Sequence, residues 1–208
     1  MSRDDLAARR GVETDVYQPA EDSALLARAA VERVTNTDRV LDVGTGSGWA
    51  AARVASETGA GVVASDVNPH ACRQARDRAR ELEREGEGGF EVVAADLVTP
   101  FAEEAFDVVL FNPPYLPTDP DNEWSDWMER ALSGGESGRA VIEPFLDTVG
   151  RVLAPGGRVL LLVRSLTGYE TVLDHARDRG FSPEKAVEES YPFETLTVVS
   201  LSDKNSQK

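Results

Sequence analysis

The sequence predicts an α/β domain built on one mostly parallel sheet whose last two strands turn back as an antiparallel hairpin. Three observations carry that expectation. From Arg39 onward, short β-rich runs alternate with helical patterns; most of the runs are almost continuously apolar; and only Pro192–Thr195 separates the last two. Continuously apolar strands need cover on both faces, which the crossover helices of a parallel sheet provide. A link as short as Pro192–Thr195 cannot make a parallel crossover, so the final pair runs antiparallel.

The strands are expected over Val40–Val43, Val62–Asp66, Phe90–Ala95, Phe106–Phe111 and Arg158–Val163, followed by the hairpin Ala186–Tyr191 and Leu196–Leu201. Helices are expected near Ala50–Thr58, Pro69–Glu85, Arg139–Leu153 and Tyr169–Arg179. Asn68 suits an N-cap and Pro69 the first helical position, where the missing N–H costs nothing. Gly156 and Gly157 are expected to break the chain before the fifth strand. Five parallel strands followed by such a pair resemble the seven-stranded class I methyltransferase fold rather than a nicotinamide-binding domain. In that strand order the third strand, Phe90–Ala95, lies at the sheet's outer edge.

The length of 208 residues suits a single domain. Residues 1–35 form an N-terminal segment and helix in this reading, and residues 116–138 a loop on the substrate side. The opening MSRDDLAARRGVETD lacks an apolar core, and no stretch approaches the roughly 18 apolar residues of a membrane span. A soluble, cytoplasmic protein is the expectation. Cys72 stands alone in a helical pattern and reads as a small, half-buried thiol; His70 and His175 lack the spacing of a zinc site and read as solvated helix positions.

Net charge is -15, lysine occurs only at Lys185, Lys204 and Lys208, and the other 19 basic residues are arginine. An acidic, lysine-poor surface is what keeps a protein hydrated at very high salt, so a halophilic cytoplasm is expected. It also works against a nucleic-acid partner, whose phosphates need lysine and arginine to replace counterions.

The segment Val40-Leu41-Asp42-Val43-Gly44-Thr45-Gly46-Ser47-Gly48-Trp49 is a strand running into a glycine-rich turn that opens a helix. Glycines there permit a tight turn and let a ligand approach the backbone. Asp66 ends the second strand, where a carboxylate accepts both hydroxyls of a ribose. Asp96 ends the third, placed to accept a hydrogen bond from an adenine amino group while Leu97 packs on the ring. A dinucleotide fingerprint wants glycine where Trp49 stands, and it delivers two phosphates to the mouth that Asp42 occupies. That carboxylate repels pyrophosphate and attracts the ammonium and sulfonium of S-adenosyl-L-methionine. Each aspartate alone also suits a turn cap; the three together favour the cationic cofactor.

Asn112-Pro113-Pro114-Tyr115 follows the fourth strand. Two prolines remove backbone donors and leave the Asn112 side-chain oxygen and the Pro113 carbonyl as acceptors. That pair suits a planar NH2 group. Binding both N–H bonds turns the nitrogen lone pair toward an incoming methyl, and Tyr115 can stack on the planar acceptor. Catalysis then consists of orientation and electrostatics, because the nitrogen can lose its proton after transfer.

With these motifs the chain resembles the HemK-type protein glutamine N5-methyltransferases of peptide-chain release factors. Val16-Tyr17-Gln18-Pro19-Ala20-Glu21-Asp22-Ser23 and Gly134-Gly135-Glu136-Ser137-Gly138-Arg139 are similar to signatures of the short archaeal and eukaryotic branch, with Gln18 where glutamate is expected. Bacterial members carry an added N-terminal helical domain, for which a first strand near Val40 leaves no room. The resemblance implies that Ser23, Asp42, Gly44, Gly46, Asp66, Val67, Asp96, Leu97 and Asn112 touch the cofactor. It implies that Asn112 and Pro113, with Pro114 and Tyr115, hold the acceptor amide of a class I release factor. It also implies a heterodimer with a small zinc-binding activator subunit added as a strand at Phe90–Ala95, unless a local helix or loop covers that edge. In the long loop, Trp124 and Trp127 either pack on the body or touch substrate. The competing functions are a nucleic-acid adenine N6-methyltransferase, a lysine or small-molecule methyltransferase, and a non-catalytic cofactor-binding scaffold.

Overall fold

A computed structural model of the chain describes Val16, residues 18–116 and residues 132–204. Its elements in chain order begin α1 (Glu21–Val31), β1 (Arg39–Val43), α2 (Trp49–Thr58), β2 (Gly61–Asp66), α3 (Pro69–Glu85), β3 (Phe90–Ala94) and β4 (Phe106–Phe111). They continue with α4 (Ile142–Thr148), a 3-10 turn (Val149–Val152), β5 (Leu153–Arg164), a second 3-10 turn (Ser165–Thr167), α5 (Tyr169–Asp178), β6 (Phe181–Ser190) and β7 (Thr195–Asp203). The strands form one sheet in the order β3-β2-β1-β4-β5-β7-β6. The first five are parallel, and β7 pairs antiparallel with both β5 and β6. The expected seven-stranded sheet is therefore present, with β3 at one edge.

Both faces are covered, as the apolar strands require. Val40 faces a core shared with α1, α2 and α3, while Leu41 and Val43 face a second core shared with α4 and α5. In α3 the buried residues Ala71, Cys72, Ala75, Ala79 and Leu82 recur every three or four positions, so one stripe packs on the sheet. The Asn68 side chain accepts from the His70 N–H at 2.9 Å and Pro69 opens the helix, both as expected. Cys72 is fully buried rather than half-buried. His175 is on its helix but not merely solvated, since its Nε2 lies 2.7 Å from Asp147.

Three boundaries depart from the sequence reading. The helix expected over Arg139–Leu153 starts at Ile142 and tightens into a 3-10 turn at Val149. Pro144 explains the start: it is tolerated in a first turn, but a helix from Arg139 would drive its ring into the Ala140 carbonyl. Gly156 and Gly157 do not break the chain before the fifth strand. They lie inside β5, at a bulge where pairing steps from Phe106–Leu153 to Val108–Arg158. β6 starts at Phe181, five residues early, because an edge strand tolerates Pro183 and a polar outer face.

Among the described residues no helix is long and apolar enough to cross a membrane, and no cluster of His, Cys, Asp or Glu is placed to hold a metal ion.

Candidate active site

Strand order reverses between β1 and β4, and a cleft of about 340 Å³ opens there at the carboxyl ends of the strands. Open α/β sheets bind their ligands at such a switch point. The size falls in the usual small-molecule range of roughly 300–1,000 Å³. Its walls bring together the residues assigned from the sequence to the cofactor and to the acceptor amide. Ser23 comes from α1; Asp42, Gly44 and Gly46 from β1 and its turn; Asp66 and Val67 from β2. Asp96 and Leu97 follow β3, and Asn112, Pro113, Pro114 and Tyr115 follow β4. Trp124 and Trp127 lie outside the described residues.

The glycine-rich turn is shaped by what a side chain would strike. Gly48 opens α2 at φ 75°, and a Cβ there would come within 2.9 Å of Ala75. This close approach seats α2 against α3 and leaves the turn's backbone facing the cleft.

The three aspartates are not equivalent. Asp42 is buried, accepts from the Thr45 hydroxyl at 2.6 Å, and has its pKa pushed up to about 7. Burial is the main cause and the nearby Asp66 adds to it, while the Thr45 bond opposes. Asp66 accepts from the backbone N–H groups of Gly46 at 2.9 Å and Asn68 at 2.8 Å, and burial raises its pKa as well. One buried and one half-buried carboxylate, both with raised pKa values, are a poor place for pyrophosphate and a good one for a cation. Asp96 stands exposed at the mouth. Leu97 next to it is held at φ 48°, a left-handed conformation that costs a bulky residue on the order of 1–3 kcal/mol and is typical of functional turns.

On the neighbouring strand end, just past Phe111, the Asn112 Oδ1 is buried and has no hydrogen-bond partner among the described residues. Buried acceptors are nearly always paired, so an orphan facing a cleft marks a place where a ligand donor belongs. Known proteins resemble this chain over most of its length. Residues 19–124 match the family model for the methyltransferase small domain. A protein N5-glutamine methyltransferase of Methanocaldococcus jannaschii is 36% identical over 185 residues, covering 89% of this chain and 90% of that protein.

The chain belongs to the HemK-type protein glutamine N5-methyltransferases.

Methyltransferase HEMK2 of Homo sapiens is 33% identical, covering 91% of both chains. Among solved structures, the Mtq2–Trm112 complex of E. cuniculi, responsible for methylation of the eRF1 translation termination factor, matches with a TM-score of 0.72 and 29% identity. That match covers 92% of this chain and all of the other.

The structure of this HemK-type enzyme also holds a cluster that the sequence reading missed. Arg164, at the end of β5, is 2% exposed and ion-pairs with buried Asp22 and, at 2.6 Å, with Glu194. Its guanidinium lies 3.6 Å from the Tyr115 ring centroid. Burial opposes its charge, but Tyr115, Asp22 and Glu194 outweigh burial and raise its pKa. One face of Tyr115 is thereby taken by Arg164, which leaves the opposite face of the ring for a planar acceptor. The only signal in sequence was an arginine directly after the apolar run Val159–Val163.

The second signature acts as a buttress. Gly138 sits at φ 71°, and a Cβ there would come within 2.8 Å of the Tyr115 carbonyl. Arg139 donates to the Thr167 carbonyl at 2.9 Å, and the Thr167 hydroxyl donates to the Arg164 carbonyl at 2.7 Å. The segment therefore backs the acceptor motif directly.

Proposed function

We propose that this HemK-type enzyme methylates the side-chain nitrogen of the glutamine in the Gly-Gly-Gln motif of a class I release factor, using S-adenosyl-L-methionine. The observation that carries the reading is the orphaned Asn112 Oδ1 in the same cleft as Asp42 and Asp66. An uncharged acceptor oxygen suits an uncharged amide, whereas a lysine acceptor would call for a carboxylate at that place.

The donor set fits the cofactor. Asp42 would face its cationic end, Asp66 the ribose hydroxyls, and Asp96 with Val67 and Leu97 the adenine. When bound, S-adenosyl-L-methionine supplies an electrophilic methyl group on a sulfonium. Asn112 Oδ1 and the Pro113 carbonyl accept the two N–H bonds of the amide, which aims the nitrogen lone pair at the methyl. The extra proton leaves the nitrogen to water afterwards, so no strong base is required.

The same motif would hold the amino group of a flipped adenine, the strongest competing acceptor. A net charge of -15 disfavours it. Incubating the purified protein with labelled cofactor and cell extract, then locating the label by mass spectrometry, separates the two. Label on the release-factor glutamine is the expected result, and label on nucleic acid alone overturns the reading.

Two finer readings accompany the proposal. A small zinc-binding activator on the edge of β3 is the first, supported by the Mtq2–Trm112 complex being a structural relative and by β3 having one strand neighbour. A halophilic, archaeal cytoplasm is supported by the acidic, lysine-poor composition and by an archaeal relative.

A further inference from the structure

Among the described residues three large apolar side chains stand well exposed: Val67, Leu166 and Phe193. Val67 lines the cleft, but Leu166 and Phe193, at 56% and 84% exposure, do not. Both stand at the end of the sheet where the acceptor motif lies. β4 and β5 run parallel with Phe111 opposite Leu161, so Arg164 leaves the sheet in the same direction as Asn112. Leu166 is in the 3-10 turn just after Arg164, and Phe193 is in the turn between β6 and β7. The Thr195 N–H donates to Ser165 Oγ at 3.0 Å and ties the two turns together.

These turns connect to the acceptor motif through side chains. Glu194, beside Phe193, pairs with Arg164, and Arg164 stacks on Tyr115. Charge around the turns is negative: the carboxylates of Glu21, Asp22, Glu143, Glu189 and Glu194 outnumber the guanidiniums of Arg28, Arg139 and Arg164. The Tyr191 hydroxyl registers that field, being pushed up to about 12, first by its hydrogen bond to Glu189, then by burial and the charges of Glu189 and Glu21.

We propose that Leu166 and Phe193 form the docking rim for the protein that carries the acceptor, a basic segment with an apolar side chain, kept in register with the acceptor motif by Glu194, Arg164 and Tyr115. The inference rests on the protein-substrate reading above. Like charge disfavours the other occupants, since a second copy of this acidic chain, a nucleic acid and an anionic membrane would all meet a negative rim.

Calorimetry with a full-length class I release factor tests the proposal without requiring turnover. The Leu166→Ser, Phe193→Ser double variant of the full chain should bind the factor about tenfold or more weakly than the parent, as apolar interface anchors do. Its affinity for S-adenosyl-L-methionine, measured alongside, should stay within about twofold. Phe193→Arg should weaken factor binding more than Phe193→Glu. Should the double variant misfold, the two single charge variants decide the matter. Factor binding unchanged in the variants, or the reverse charge order, overturns the docking rim while leaving the substrate reading intact. A parent chain that binds no release factor but binds RNA overturns both.

Discussion

The guanidinium of Arg164 lies 3.6 Å above the Tyr115 ring, joining the end of β5 to the acceptor motif that follows β4. The same group pairs with Asp22, whose neighbour Ser23 lines the cleft. One buried cation thus braces both walls.

Arg164→Met should destabilise the fold by about 3–5 kcal/mol, because it leaves Asp22 buried without its counter-charge. Arg164→Lys should restore part of that stability but not the turnover, since an ammonium cannot lie flat on Tyr115 while holding both Asp22 and Glu194. Thermal melts and single-turnover rates read the two effects separately. Equal turnover for Lys and Arg would show that charge alone matters.

Asn112→Ala should lower methyl transfer by ~10²–10³, the usual effect of removing one positioned polar group, with only a modest change in cofactor affinity. Its melting temperature should equal or exceed the parent's, because the substitution removes a buried acceptor that has no partner. A large loss of stability would mean that Oδ1 is paired in solution.

Asp42 has a folded-state pKa of about 7 against an ordinary 3.8. Folded protein therefore holds a proton that the unfolded chain has released between those values. Stability from this group is complete below the unfolded value and is lost as pH rises through 7. Asp42→Asn should raise the melting temperature most above pH 7, with the gain shrinking on acidification. Affinity for the cationic cofactor should move the opposite way in the parent, rising with pH through 7 as the carboxylate ionises. A pH-independent cofactor affinity would remove Asp42 from contact with the positive charge.

On the β3 edge, Val92 packs partly against the core whereas Val93 belongs to neither core cluster. Val93→Lys should therefore abolish co-purification with a small activator subunit while sparing cofactor binding. Pull-down and calorimetry check the two halves. An active, monomeric parent unaffected by Val93→Lys would exclude the edge-docked partner.

If the acidic surface is a salt adaptation, the chain should lose secondary structure in dilute buffer as unscreened carboxylates repel. Circular dichroism across a potassium chloride titration is the measurement. A flat response from millimolar to molar salt removes the halophile reading.

The sheet, its two covered faces and the motifs at strand ends were legible in the sequence because each follows from local pattern. Apolar runs fill the interior strands, glycines make the turn after β1, and Asp42, Asp66, Asp96 and Asn112 all fall where a strand leaves the sheet. Boundaries failed where pattern and tertiary pairing compete: Gly156 and Gly157 look like a break, yet the bulge against β4 carries β5 through them. Burial alone decided the rest. It separates buried Asp42 from exposed Asp96, although both read as strand-end aspartates. It also places Arg164 142 residues from Asp22 in sequence but in contact with it. A charge so far from its partner leaves no periodic trace in the chain, because the pairing exists only once β5, α1 and the acceptor loop have come together.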